Sequence, residues 1–138
     1  FDISELLKST VIRYEKKEIT TDIPERVFLD GRKSLIGRCF NNLIDNSIKY
    51  SNNILISLKK SANSIIIIID DDGPGIPKNE RENVFKPFYK IDKSRSDSKS
   101  SVGLGLSIAS DIIRSHGGNI SLETSPANGL RTKIFLPF

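Results

Sequence analysis

One cysteine, one histidine and no apolar run longer than five residues set the first limits on this 138-residue chain. A lone Cys39 excludes an internal disulfide and a cysteine-rich metal site, so the thiol is expected in the core and the chain in a reducing compartment. The longest apolar stretch, the isoleucines at 65–69, falls far short of the roughly 20 residues that a membrane-spanning helix requires. The opening FDISELLKSTV has neither the basic start nor the small-residue cleavage site of a signal peptide. Neither sign of charge is blocked: 21 Lys and Arg and 17 Asp and Glu are scattered along the chain, which argues against a nucleic-acid-binding face. There is no internal repeat. What remains is a length suited to one domain, 1–138, with one core. The first residue is not Met and lies inside a helical pattern, so the chain is expected to be a piece of a longer protein.

Residues 3–16 place Ile3, Leu6, Leu7, Val11 and Ile12 at helical intervals. Residues 19–22 and 27–29 are short strand candidates on either side of Pro24. Asp30 is placed to cap a long helix over 32–50, whose buried stripe is Leu35, Ile36, Cys39, Phe40, Leu43 and Ile44, and which Asn52 and Asn53 end. Residues 54–59 and 64–71 read as a hairpin, and the five isoleucines, with no polar alternation, predict a strand covered on both faces or nearly so. A short helical piece is expected at 78–84 and a second amphipathic helix at 104–115, stopped by Gly117 and Gly118. Residues 120–123 and 131–136 then close an antiparallel pair around a turn at 127–129. The sum is an α+β two-layer sandwich, a mixed, mostly antiparallel sheet covered on one side by about three helices.

Four short motifs stand out. In NNLIDNSIKY, residues 41–50, Asn42, Asn46 and Lys49 share one narrow helical sector at the edge of the apolar stripe. An amide oxygen there suits Mg²⁺, which takes oxygen donors and keeps waters and phosphate oxygens; the alternative is ordinary solvated helix positions. In DDDGPGIP, residues 70–77, alternation puts Asp71 on the face of Ile67 and Ile69, where a carboxylate can accept from the amino group of adenine. Gly73 and Gly75 permit close approach of a flat base, although an acidic turn with glycines is the plainer reading. VFKPFYK, residues 84–90, sets Phe85, Phe88 and Tyr89 around Pro87, either as core packing or as the hinge of the polar segment that follows. In SSVGLGLSIASDII, Gly103 and Gly105 precede a helix whose free amides can face an anion, or they simply start the helix.

Taken in order, NNLIDNSIKY, DDDGPGI, VFKPFYK and VGLGLSIA resemble the asparagine, first glycine, phenylalanine and second glycine boxes of one family. That family is the ATP-binding catalytic domain of two-component sensor histidine kinases, in the superfamily shared with gyrase, the ninety-kilodalton chaperone and the MutL proteins. The resemblance covers nearly the whole chain and implies a Bergerat-type fold, a nucleotide lid between the last two boxes, and ATP and Mg²⁺ as cofactors. It implies Asn46 as the metal ligand and Asn42, Asn46, Lys49 and Arg95 as the catalytic set, with Arg95 reaching the γ-phosphate. Tyr50 is implied against adenine, Asp71 as acceptor from its amino group, and Gly73, Gly75 and Ile76 as pocket walls. Phe88, Tyr89 and Lys90 are implied at the pocket's border, and Gly103, Leu104, Gly105 and Leu106 at the triphosphate. Two positions depart from the family pattern: Ser101 replaces the first glycine of the second box, and Val102 replaces the common Thr and brings no hydroxyl.

The implied activity is transfer of the γ-phosphoryl group of Mg-ATP to a histidine. His116, the single histidine, follows a helix at its glycine stop and reads as a helix-end residue. The acceptor is therefore expected on a dimerisation domain preceding residue 1, with a response regulator downstream, no nucleic-acid partner, and a cytoplasmic location in a parent anchored in the bacterial inner membrane. Two other functions are carried forward. A switch ATPase of this superfamily has a Glu four residues before the metal Asn to activate water, and Asn42 stands there. A nucleotide-sensing module without transfer is the third, motivated by Ser101 and Val102.

Overall fold

The isoleucine run becomes the middle of a five-stranded sheet. The computed structural model describes residues 1–14, 18–89 and 105–138. Its elements are α1 (Ile3–Ile12), β1 (Glu18–Asp22), α2 (Lys33–Tyr50), β2 (Asn53–Lys60), β3 (Ser64–Asp71), α3 (Gly105–Ser115), β4 (Asn119–Thr124) and β5 (Leu130–Pro137). The strand order is β1-β2-β3-β5-β4, with β1 parallel to β2 and all other pairs antiparallel. This is the expected α+β class.

Period-two alternation decides what each strand buries. Ile65, Ile67 and Ile69 of β3 are fully buried, with Ile54, Ile56 and Leu58 of β2 and Ile134 and Leu136 of β5, against Ile36, Phe40 and Ile44 of α2 and Ile113 of α3. Burial pushes the Cys39 thiol up to about 12, so it stays a neutral core group. The expectation that β3 is covered on both faces is corrected. Ile66 and Ile68 are half-buried on the face that carries no helix among the described residues, beside Leu55 and Phe135, which are 42% and 36% exposed. On that same face Arg131 grips Asp70 with two hydrogen bonds of 2.8 and 3.0 Å.

Other local expectations shift for long-range reasons. α1 stops at Ile12 rather than 16, where the N–H groups of Arg13 and Tyr14 turn back to Thr10 and Val11. The candidate strand at 27–29 forms only a bridge, Asp2↔Phe28, because the segment it pairs with turns into α1 at Ile3. The helical piece at 78–84 resolves into two 3₁₀ turns, Lys78–Glu80 and Asn83–Phe85. Asp30 does not cap α2. Arg32 occupies the N-cap without a side-chain cap bond, and its own N–H is accepted by His116 Nε2 at 3.0 Å. His116 Nδ1 lies 2.8 Å from the Ile112 carbonyl, which places the ring proton there. The histidine thus ties the end of α3 to the start of α2, just before Gly117 (φ +82) and Gly118 terminate α3 in a Schellman pair of bonds to Arg114 and Ile113.

Gly37 in the middle of α2 is not structurally required. A β-carbon there meets only Leu6 Cδ1, at 3.5 Å, an ordinary contact. Gly37→Ala is therefore expected to stabilise the domain by about 0.5–1 kcal/mol, read as a higher urea midpoint with an unchanged slope.

Candidate functional site

The C-terminal half of α2, the exit of β3 and the turn before β5 converge at one end of the sheet. Asn42 and Asn46 are half-buried on α2 and Lys49 and Tyr50 are exposed at its end, with the Lys49 ammonium 5.5 Å from the Tyr50 ring centroid. Asn42 Nδ2 makes a long 3.5 Å contact with the Gly105 carbonyl, so the first and last motifs touch. The Asn46 side chain makes no hydrogen bond among the described residues, which leaves its amide oxygen available. No group of three or more His, Cys, Asp or Glu able to hold a metal exists among the described residues. That donor set fits an ion completed by phosphate and water, the usual habit of Mg²⁺, and not a cage built by protein.

The acidic turn divides its three carboxylates among three jobs. Asp70 faces Arg131 on the open face of the sheet. Asp72 accepts from the N–H groups of Asn52 and Asn53 at 2.9 and 3.0 Å and from Asn53 Nδ2 at 2.8 Å, fastening the exit of β3 to the start of β2. These bonds, first those from the Asn53 backbone and side chain and then that from the Asn52 backbone, lower its pKa from 3.8 to about 2. With a folded pKa below the unfolded one, the stabilisation is present above pH 3.8 and is lost as pH falls towards 2. An acid titration of Asp72→Asn is accordingly expected to show a shallower loss of stability in that window than the parent chain.

Asp71, 5% exposed, points inward. Its Oδ1 accepts from the N–H groups of Gly73 and Leu130, both at 3.0 Å. Its Oδ2 has no hydrogen-bond partner among the described residues, and no side-chain polar atom there is both sealed from solvent and unpaired, so Oδ2 faces an opening. Glycines crowd this carboxylate. A β-carbon on Gly73 would lie 2.5 Å from the Tyr50 carbonyl oxygen, and Gly75 has φ +71. One on Gly129 would overlap the Asp71 main-chain oxygen and lie 2.7 Å from Oδ1. Ser125, in the turn that ends at Gly129, donates from Oγ to the Asp71 carbonyl at 2.6 Å and accepts from the Gly129 N–H at 2.9 Å.

The remaining motif residues divide. Ile76, Phe85, Tyr89 and Leu106 pack on a small second cluster of Val84, Leu122 and Leu130, beside Asp71. The Tyr89 hydroxyl is committed to Glu80, and that bond raises its pKa. Phe88 is 69% exposed with φ +65, so its ring is outside both clusters. Arg81 braces the segment from Nε to the Ile76 carbonyl and from its terminal nitrogen to Thr124 Oγ1. Lys90, Arg95, Ser101, Val102, Gly103 and Leu104 lie outside the described residues. A recess of about 550 Å³ between α1 and α2, lined in part by Arg13, Lys33 and Arg38, contains Asn41 but none of the site residues named from the motifs. No helix among the described residues is long and apolar enough to cross a membrane.

Sequence reasoning missed Ser125, Gly129 and the Leu130 amide. PANG advertises a turn, but nothing local indicates that this turn rests on residue 71.

Known proteins are similar to this chain in sequence and in fold. Sensor histidine kinase CpxA of Escherichia coli (strain K12) is 34% identical over 138 residues, covering 97% of this chain and 30% of that protein. The ATP-binding domain of PrrB from Mycobacterium tuberculosis superposes with a TM-score of 0.80 at 27% identity, covering 99% of this chain and 94% of that one. The histidine kinase domain of the E. coli osmosensor EnvZ gives 0.75 at 30% identity, with 99% and 86% covered. The chain thus spans about a third of the length of that curated relative. Residues 31–138 match the family described as "Histidine kinase-, DNA gyrase B-, and HSP90-like ATPase", and the chain belongs to that family.

Proposed function

We propose that this domain binds Mg-ATP between the end of α2 and the Asp71 turn and donates the γ-phosphoryl group to a histidine on a separate dimerisation domain of a sensor kinase. The observation that carries the reading is Asp71, a buried carboxylate with one oxygen held by two backbone amides and the other turned to an opening. An ionised carboxylate accepts only, so Oδ2 suits the amino group of adenine. Gly73 and Gly75 let the base lie close to the backbone, with Tyr50 beside it and Ile76, Phe88, Tyr89 and Lys90 at the border.

Phosphoryl transfer needs charge neutralisation and in-line placement more than covalent help. Bound Mg²⁺ would supply charge neutralisation at the phosphate oxygens. Asn46 would hold it through its amide oxygen, Asn42 and Lys49 would orient the phosphates, and Arg95 is assigned to the γ-phosphate and Gly103, Leu104, Gly105 and Leu106 to the triphosphate by the motifs they belong to. His116 has both nitrogens engaged, which supports an acceptor elsewhere. A response regulator as the next partner, and a membrane-anchored parent with this domain in the cytoplasm, complete the proposal.

A switch ATPase is disfavoured because Asn42 stands where a water-activating carboxylate is needed, and an amide takes no proton. Mixing the chain with γ-labelled ATP and the separately expressed dimerisation domain tests the choice. Label is expected on the acceptor histidine and to fall at least about 100-fold in Asn46→Ala. Nucleotide binding with no transfer, or phosphate release without a labelled acceptor, overturns the kinase reading.

A further inference from the structure

We infer that Ser125 is a positioning residue that gives the nucleotide site its preference for a 6-amino purine, by holding Asp71 in one orientation; this rests on the adenine reading above. β3 and β5 pair as far as Asp70↔Arg131. One step further the partners change. The Leu130 N–H goes to the Asp71 carboxylate, and the Asp71 carbonyl is taken by the Ser125 hydroxyl. A side chain has replaced its own main chain as an acceptor for β5, and a second side chain covers the group left over.

The Ser125 hydroxyl is used twice, because it also accepts from the Gly129 N–H while the Ser125 N–H donates to the Gly129 carbonyl. One residue therefore closes the turn over 125–129 and seats it on residue 71. Ser125 is 4% exposed and Asp71 5%, so little water is at hand to replace a lost bond. Gly129 already lies against Asp71 with no room for a side chain, so the turn cannot move inward. Without the hydroxyl it relaxes outward and takes along the Leu130 amide, one of the two donors on Oδ1. A carboxylate held by one donor rotates about its last torsion, and Oδ2 leaves the line on which it meets the base.

Base selectivity separates this role from a merely structural one. Dissociation constants are measured for ATP and for purine riboside triphosphate, which lacks the 6-amino group, on the parent chain, Ser125→Ala and the near-isosteric Ser125→Cys. The parent chain is expected to prefer ATP by at least about 10-fold. Both variants are expected to bring that preference to within about 3-fold through weaker ATP binding, with purine riboside triphosphate bound within about 2-fold of the parent. Thermal midpoints without nucleotide identify folded variants, and Ser125→Cys carries the test if Ser125→Ala does not fold. Equal weakening of both nucleotides, or an unchanged preference, overturns the inference. A parent chain with no preference overturns the adenine reading itself.

Discussion

Asp71→Asn is expected to weaken ATP binding by about 100-fold or more while the domain stays folded. The asparagine oxygen can remain where Oδ1 sits, accepting from the Gly73 and Leu130 amides. That choice sets an NH₂ group where Oδ2 faces the opening, and a donor then meets the donor of adenine. The opposite flip restores an acceptor to the base but directs the NH₂ at two buried N–H groups, which costs more than the contact returns. Calorimetric titration with ATP reads the loss, and a thermal midpoint without nucleotide tracks the fold. The same geometry sets a second outcome: inosine triphosphate, with an acceptor at position 6, is expected to overtake ATP in the variant. Unchanged ATP affinity sinks the assignment of Asp71.

Gly118→Ala is expected to be the most damaging methyl addition to the scaffold, at about 3 kcal/mol, the upper end of the usual cost of forcing atoms into a packed site. Its β-carbon would overlap the Phe135 carbonyl oxygen and lie 3.0 Å from the carbonyl carbon and 3.1 Å from Ile113 Cγ2. Backbone on one side and a fully buried side chain on the other leave nothing flexible to yield. The clash falls where the Schellman turn hands the chain to β4, one residue before Asn119 pairs with Phe135. Relief therefore requires β4 to part from β5 or α3 to lose its last turn. For a domain stabilised by about 5–15 kcal/mol the loss is a large fraction, and urea unfolding measures it. A midpoint within about 0.5 kcal/mol of the parent contradicts this packing.

Much of the scaffold was legible because most of its strands and helices carry their period. The stripe on α2, the hairpin of β2 and β3 and the β4–β5 pair lie where alternation and turn residues put them. What escaped is decided between distant segments. β1 pairs in parallel with β2 through five residues, four of them exposed and without a core signature of their own. Asp30 looked like a cap, yet His116, 84 residues beyond Arg32, holds the amide at that helix start. The site divides in the same way. Asn42, Asn46, Lys49 and Asp71 announce themselves through motif and face, whereas Ser125 reads as an ordinary turn residue until the fold sets it against Asp71.

β3 and β5 lie side by side at the middle of the sheet although residues 72–129 separate them along the chain. Bringing them together is a long-range search, so their pairing, rather than either hairpin, is expected to set the pace at which the chain folds. Once it has formed, the residues that follow β3 and precede α3, which carry the glycine and aromatic motifs, hang from the sheet as one excursion. The entropic cost of closing such an excursion rises by only about 0.6 kcal/mol for each doubling of its length. Insertions and deletions there are cheap for the scaffold, which leaves the chemistry at the rim free to diversify while the sheet beneath it stays the same.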